Sequence, residues 1–145
     1  MPDWVKSGCD DYLKRMPRDL PVLLSEVKPA ARTEARPVER LLQEERTRIL
    51  ERIPAGSQVI PLDERGSLWT TRELAATVEA ARLEARELVF LIGGPDGLHA
   101  DLKRSDRPIF ALSRLTLPHA LARVVLCEQL YRAASLLGNH PYHRD

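Results

Sequence analysis

The sequence lacks the features that mark secreted, membrane-spanning and disulfide-stapled proteins. Its two cysteines, Cys9 and Cys127, cannot build a disulfide framework, so we expect reduced thiols and a cytoplasmic protein. The longest purely aliphatic runs, such as residues 124–127, fall far short of the roughly 20 residues that cross a bilayer. The polar start of the chain is unlike a signal peptide, which begins with a basic stretch and continues with an apolar one.

The chain also has little net charge, and its charges are unevenly distributed. The formal charge of the 145 residues is +1, which does not by itself indicate a nucleic-acid-binding protein. Residues 102–145 carry seven basic and three acidic side chains, whereas residues 1–101 carry 15 basic and 18 acidic ones. All four histidines lie at or after His99. A basic, histidine-bearing C-terminal third fits an anionic partner, although chance clustering of solvated charges explains it equally well.

Apolar spacing predicts helices that alternate with strands. The predicted helices cover residues 2–16, 37–53, 70–86 and 118–138. The predicted strands cover residues 22–27, 58–63, 87–92 and 108–112, with a turn at residues 65–67. Val38, Leu42, Ile49 and Ile53 are expected on the inner face of the second helix, and Thr70 and Glu73 match a capping box. The apolar run at residues 88–92 is typical of a parallel strand covered on both faces, so we predict one α/β domain over residues 1–145.

The predicted last helix is apolar around most of its circumference. Its few polar residues include Arg123, Glu128 and Arg132, and apolar residues occupy most other positions. Such a helix is buried on several sides. In a chain of this size, one of those sides can face a second subunit.

Two loops are candidate ligand sites. The glycine-rich turn at residues 93–98 follows a buried strand, where open α/β sheets bind ligands, although it matches neither a dinucleotide fingerprint nor a P-loop. The stretch 112–119 leads from a strand into a helix whose first amides attract anions or polar ligands. An ordinary tight turn and an ordinary capped helix start are the structural alternatives.

The C-terminal residues form a third candidate site. Residues 139–145 hold two histidines, a tyrosine and an arginine, which are suited to supplying a base and phosphate contacts. A frayed terminus is the alternative. The spacing of His140 and His143 without acidic or thiol partners is poor for zinc, so no metal site is predicted. Neither cysteine lies in a context typical of a catalytic nucleophile.

Together these stretches resemble the RlmH family, bacterial large-subunit rRNA methyltransferases of the SPOUT superfamily. The resemblance covers essentially the whole chain, including the opening MPDWV and the pair Leu62 and Asp63. Its specific motifs are LIGGPDGL at 91–98, LSxLTLPH at 112–119, RV at 123–124 followed by EQLYRA at 128–133, and NHPYHR at 139–144.

The resemblance implies an α/β fold with a parallel sheet, a C-terminal trefoil knot and a homodimer. It implies S-adenosylmethionine as methyl donor and N3 of a pseudouridine in helix 69 of 23S rRNA, in the assembled ribosome, as acceptor. By position, it implies a cofactor site formed by Leu62, Gly93, Leu112, Ser113, Arg114, Leu115, Thr116 and Leu117. It implies substrate-side, catalytic roles for His119, Tyr142, His143 and Arg144.

One departure from the family pattern concerns the start of the chain. In the family, a strand and a glycine turn precede the MPDWV motif, so the first strand is expected to be missing here.

Two other functions stay open. One is a catalytically impaired RNA- or ribosome-binding module of the same fold. The other is a generic nucleotide-binding α/β protein, which leaves the two later motifs unexplained.

Overall fold

Helices and strands alternate along most of the chain, as the apolar spacing predicts. A computed structural model describes residues 1–33, 35–104 and 107–144, so Asp106 and Asp145 of the charge count lie outside the described residues. The described elements are α1 (Asp3–Leu13), α2 (Val38–Arg52), β1 (Gln58–Leu68), α3 (Thr71–Leu83), β2 (Leu88–Leu91), a 3-10 turn (Ala100–Lys103), β3 (Phe110–Ala111) and α4 (His119–Leu137). None of the described helices has the length and apolar character needed to span a membrane.

The strands form a parallel sheet in the order β2-β1-β3. The first half of β1 pairs with β2, from Gln58 opposite Leu88 to Pro61 opposite Leu91. The second half pairs with β3, where both Leu62 and Ser67 lie level with Phe110. The central strand therefore has one neighbour along each half, and the α/β class with a parallel sheet is confirmed.

Helices cover both faces of this sheet. Successive residues of a strand point to opposite faces, so Ile60 and Val59 belong to different clusters. Ile60 packs with Leu74 of α3 and with Leu126 and Leu130 of α4. Val59 packs with Leu91, Leu98 and Leu102, and that cluster also includes Ile49 of α2 and Ile53, the residue after α2. A sheet buried on both faces explains why β2 is apolar at every position.

Helix α1 packs on α4 through a small apolar cluster. Val5, Cys9 and Cys127 are buried together there, and both cysteines are free thiols, as expected of a chain with only two cysteines. Gly8 allows the close contact, because a Cβ atom on it would lie 3.3 Å from a methyl group of Val124. Burial raises the pKa of the Cys127 thiol to about 12.

The ends of α3 and α4 are defined by local hydrogen bonds. The capping box is confirmed, since Thr70 Oγ1 accepts from the Glu73 amide at 3.1 Å and Glu73 Oε1 accepts from the Thr70 amide at 3.0 Å. Helix α4 ends before Gly138, but the left-handed residue is Asn139, with φ of 58°. The His140 amide then donates to the Ser135 carbonyl at 2.8 Å, which turns the C-terminal residues back along α4.

Two sequence-based predictions about α2 and the residues before it are wrong. Residues 22–27 are not a strand, because they lie outside the sheet with no ladder partner among the described residues, and Leu23 is 94% exposed. A strand needs a hydrogen-bonded neighbour, which apolar alternation alone does not supply. Val38 is half exposed at the first position of α2, and Leu41 takes the buried position instead.

The turn predicted at residues 65–67 is also wrong, because β1 continues to Leu68. Gly66 lies directly against the backbone of Ile109, where a Cβ atom would come within 2.5 Å of the carbonyl oxygen. The Ser67 amide donates to the same carbonyl at 2.8 Å. The glycine therefore marks a close approach of two backbone segments and not a chain reversal.

Candidate functional site

The β1 excursion, defined as residues 63–66, is an irregularity in the register between β1 and β3. It lies between Leu62 and Ser67, the two residues that share Phe110 as partner. Asp63 accepts hydrogen bonds from the Arg65 amide at 2.8 Å and from Lys103 Nζ at 2.9 Å. Burial alone would raise the pKa of Asp63, but these two hydrogen bonds and the positive charges of Lys103 and Arg65 together outweigh it, and the pKa is lowered. The excursion is thus anchored by an ionised carboxylate.

The glycine turn, residues 93–97, follows β2 and is tightly folded. The Gly97 amide donates to the Gly94 carbonyl at 2.9 Å, and Gly97 has φ of 79°, which favours glycine. A Cβ atom on Gly93 would lie 2.5 Å from the carbonyl carbon of Gly97. A Cβ atom on Gly94 or Gly97 would meet no atom within 4 Å. The turn therefore packs on itself at Gly93 and leaves open space beside Gly94 and Gly97.

The entry loop, residues 112–118, connects β3 to α4. Its conformation is held locally by a hydrogen bond from the Leu115 amide to Ser113 Oγ at 2.9 Å. Two further bonds tie it to the β1 excursion: Arg114 donates to the Glu64 carbonyl at 2.7 Å, and Thr116 Oγ1 donates to Glu64 Oε2 at 2.6 Å. Residue Leu115 is 73% exposed, so its side chain is not held in the core.

The residues that flank these three segments share one apolar cluster. Leu62, Ile92 and Leu112 all pack against the cluster around Ile60 and Phe110. Because parallel strands carry their following loops to the same edge, the glycine turn and the entry loop are expected at the same edge of the sheet, where the entry loop is bonded to the excursion. Leu117, at the end of the entry loop, is half-buried.

An open groove of about 1120 Å³ runs along β2 to the glycine turn. Its walls include residues 19–27, β2, Gly93 and Gly94. His119 and Arg123, on the first turns of α4, also line it. Of the four predicted substrate-side residues, His119 is therefore the one that the groove joins to the glycine turn.

The C-terminal segment, residues 139–144, packs on the second half of α4. The Tyr142 ring lies edge-on to Tyr131, with centroids 4.6 Å apart, and Tyr131 in turn lies 6.4 Å from the ring of Tyr12 on α1. The hydroxyl of Tyr142 donates to Glu128 Oε1 at 3.3 Å, and His143 Nδ1 lies 3.3 Å from Arg132. The alternative of a frayed terminus is therefore wrong for Tyr142 and His143.

The surroundings of Tyr142 favour its neutral form. Burial and the nearby Glu128 carboxylate both raise the pKa of the Tyr142 phenol, which therefore stays a hydrogen-bond donor to a higher pH than an ordinary tyrosine. Arg144, at the end of the described chain, is exposed. An exposed guanidinium beside two ordered aromatic side chains is suited to contact a phosphate.

The four substrate-side residues do not all meet within one chain. His119 opens α4, whereas Arg132, which touches His143, lies 13 residues further along the same helix. At the rise of an α-helix, these positions are about 20 Å apart along the axis. Tyr142 and His143 form one cluster, and His119 belongs to the groove.

Sequence reasoning missed the residues that hold these segments in place. No pattern singled out Glu64, since an acidic residue in a strand carries no signal of a contact with a loop 50 residues away. The ion pair of Glu128 and Arg132 had a usable signal, the i,i+4 spacing on a helix.

No group of three or more histidine, cysteine or acidic side chains suited to a metal ion occurs among the residues that the structure describes.

Comparison with known proteins covers nearly the whole chain. Residues 1–143 match the family model described as "Predicted SPOUT methyltransferase". The chain is 48% identical over 144 residues to ribosomal RNA large subunit methyltransferase H of Paraburkholderia xenovorans (strain LB400). The aligned residues make up 99% of this chain and 92% of the relative. It is 51% identical over 145 residues to the protein of that name from Thiobacillus denitrificans (strain ATCC 25259 / T1), spanning 100% of this chain and 93% of the relative. The chain therefore belongs to the RlmH family of SPOUT methyltransferases.

Proposed function

We propose that this protein methylates large-subunit ribosomal RNA in the cytoplasm with S-adenosylmethionine as donor. The acceptor is N3 of a pseudouridine in helix 69 of 23S rRNA within the assembled ribosome. The observation that carries the proposal is the convergence of Leu62, the glycine turn and the entry loop in a chain whose relatives are named as rRNA methyltransferases. The knotted path of the C-terminal third stays a prediction of the family resemblance.

The residues of this region suit S-adenosylmethionine. Open space beside Gly94 and Gly97 lets a ligand approach the backbone of the turn. Leu62 and Leu112 supply apolar surface, and residues 113–117 supply backbone groups and hydroxyls for a polar ligand. When bound, the cofactor supplies a methyl group on a sulfonium, which is transferred by in-line displacement.

The protein's own contribution is alignment and proton handling. The N3 imide of pseudouridine carries a proton that must leave, so a base or a charge-stabilising group is needed beside it. We assign that role to the C-terminal segment, with Tyr142 or His143 nearest the nucleobase and Arg144 on a phosphate. The basic side chains of the C-terminal third then form the RNA-facing surface.

We also propose that the active form is a homodimer. Trp4 on α1 is 57% exposed and Leu121 on α4 is 38% exposed, so the α1 and α4 layer presents apolar side chains to its surroundings. His119 and the C-terminal cluster lie at different positions along α4. A second copy of the chain can complete a site that a single chain leaves divided.

Methylation of ribosomes lacking this modification tests the activity. We expect methyl incorporation by the wild-type protein and strongly reduced turnover for His143→Ala and Arg144→Ala. Arg40→Ala removes an exposed arginine of α2 and serves as the charge-matched control. Wild-type turnover in both C-terminal variants would refute the assigned roles.

Calorimetric titration with S-adenosylhomocysteine separates the main alternative. An active enzyme must bind this molecule, which is the product that remains after S-adenosylmethionine has given up its methyl group. A protein that binds ribosomes but neither binds S-adenosylhomocysteine nor transfers a methyl group is the impaired RNA-binding module.

A further inference from the structure

Glu128 and Arg132 form an ion pair at the point where the C-terminal segment meets α4. Glu128 Oε1 accepts from Arg132 Nε at 2.7 Å and lies 2.7 Å from a terminal nitrogen of the same guanidinium. The other carboxylate oxygen accepts from Gln129 at 2.8 Å. The two charged side chains are 17% and 25% exposed, so solvent screens them less than it screens an open surface pair.

The same pair contacts both ordered residues of the C-terminal segment. Tyr142 donates its hydroxyl to Glu128 Oε1, and the Arg132 guanidinium lies over the Tyr142 ring, 4.7 Å from its centroid. Arg132 also lies 3.3 Å from His143 Nδ1. Three interactions of different kinds therefore connect two helical side chains to the two residues assigned to the nucleobase.

These contacts specify more than proximity. Because a guanidinium is always a donor, its contact with His143 makes Nδ1 the acceptor and leaves the proton of a neutral imidazole on Nε2. The carboxylate of Glu128 fixes Arg132, whose long side chain otherwise has many rotamers. Charge-assisted hydrogen bonds of this kind are stronger than neutral ones.

We propose that Glu128 and Arg132 are positioning residues that orient Tyr142 and His143 for methyl transfer. The inference rests on the proposed function. Neither residue is required to touch substrate or cofactor, since both act through Tyr142 and His143. Their loss should therefore lower turnover without changing the affinity of the protein for S-adenosylhomocysteine, which is assigned to the region around Gly93 and the entry loop.

The test compares Glu128→Gln with Glu79→Gln. Glu79 forms a similar ion pair with Arg82 on α3, with a contact of 2.7 Å, but far along the chain from the C-terminal segment. We expect Glu128→Gln to lower kcat on unmodified ribosomes by about 10- to 100-fold, because small misplacements of catalytic groups have effects of that size. Glu79→Gln should leave kcat unchanged, and both variants should bind S-adenosylhomocysteine as the wild type does.

A combined-substitution experiment distinguishes positioning from general support of the fold. If Glu128 acts through Tyr142 and His143, Glu128→Gln should have little further effect on kcat in a protein that already carries Tyr142→Phe and His143→Ala. Tyr142→Phe removes one hydroxyl and no charge, so it tests the contact with Glu128 should Glu128→Gln fail to fold. We expect Tyr142→Phe to lower kcat while the melting temperature stays near that of the wild type.

The outcomes are separable. Equal kcat values for Glu128→Gln and Glu79→Gln in an otherwise active enzyme would overturn the positioning role alone. An undiminished effect of Glu128→Gln on kcat in the protein that carries Tyr142→Phe and His143→Ala would do the same. A wild-type protein that transfers no methyl group to ribosomes would overturn the proposed function, and this inference with it.

Discussion

Replacing Gly93 by alanine should destabilise the protein, whereas the same change at Gly94 should not. At Gly93 the added methyl group would lie 2.5 Å from the carbonyl carbon and 2.6 Å from the carbonyl oxygen of Gly97. Both are backbone atoms of the same turn, so relief requires the turn itself to shift. Overpacking of this kind costs about 1 to 3 kcal/mol. In a domain of this size, that loss lowers the melting temperature by about 3 to 10 °C.

Gly94 is the matched control because it lies one residue away, lacks positive φ and has open space around its Cβ position. Urea unfolding of both variants measures the difference in the free energy of unfolding. Titration with S-adenosylhomocysteine measures the effect on the candidate cofactor region. Equal stability of the two variants would refute the claim that the turn packs on itself at Gly93. If both variants bind S-adenosylhomocysteine with wild-type affinity, the glycine turn takes no part in cofactor binding.

Two further predictions concern other parts of the fold. Thr70→Ala removes the capping box of α3 and should cost about 1 kcal/mol in urea unfolding, and a change near zero would contradict the cap. With the pKa of Cys127 raised to about 12, its thiol should resist alkylation at pH 8 in the native state and react in urea. The buried neutral thiol contributes to the stability of the fold below pH 9.0, the ordinary pKa of a cysteine. This contribution should be lost as the pH rises from 9.0 towards 12.

Elements whose signals are local could be predicted from the sequence. Thr70 and Glu73 are three residues apart and define the start of α3 whatever surrounds them. The apolar run of β2 indicates burial on both faces, and helices on both sides of the sheet provide it. The proline before α4 and the glycine after it lie at the helix ends that the structure shows.

Elements that depend on distant partners could not be predicted. Residues 22–27 have the alternation of a strand, yet strand formation requires a neighbour that periodicity does not reveal. Gly66 was interpreted as a turn because glycine is frequent in turns, and only the approach of Ile109, 43 positions later, explains its place in β1. The contact of Glu64 with Thr116 is equally invisible in sequence.

The two parts of the candidate site are held by different interactions, and this difference predicts how they fail. The region around Gly93 is shaped by backbone packing and by loops that follow parallel strands, so substitutions there change the space available to a ligand. The C-terminal segment is held by side chains of α4, chiefly the carboxylate and guanidinium of Glu128 and Arg132. Damage to the first part should therefore appear as loss of S-adenosylhomocysteine binding. Damage to the second should leave binding intact and lower only turnover. The reason is that correct orientation of a reacting group stabilises the transition state and not the bound cofactor.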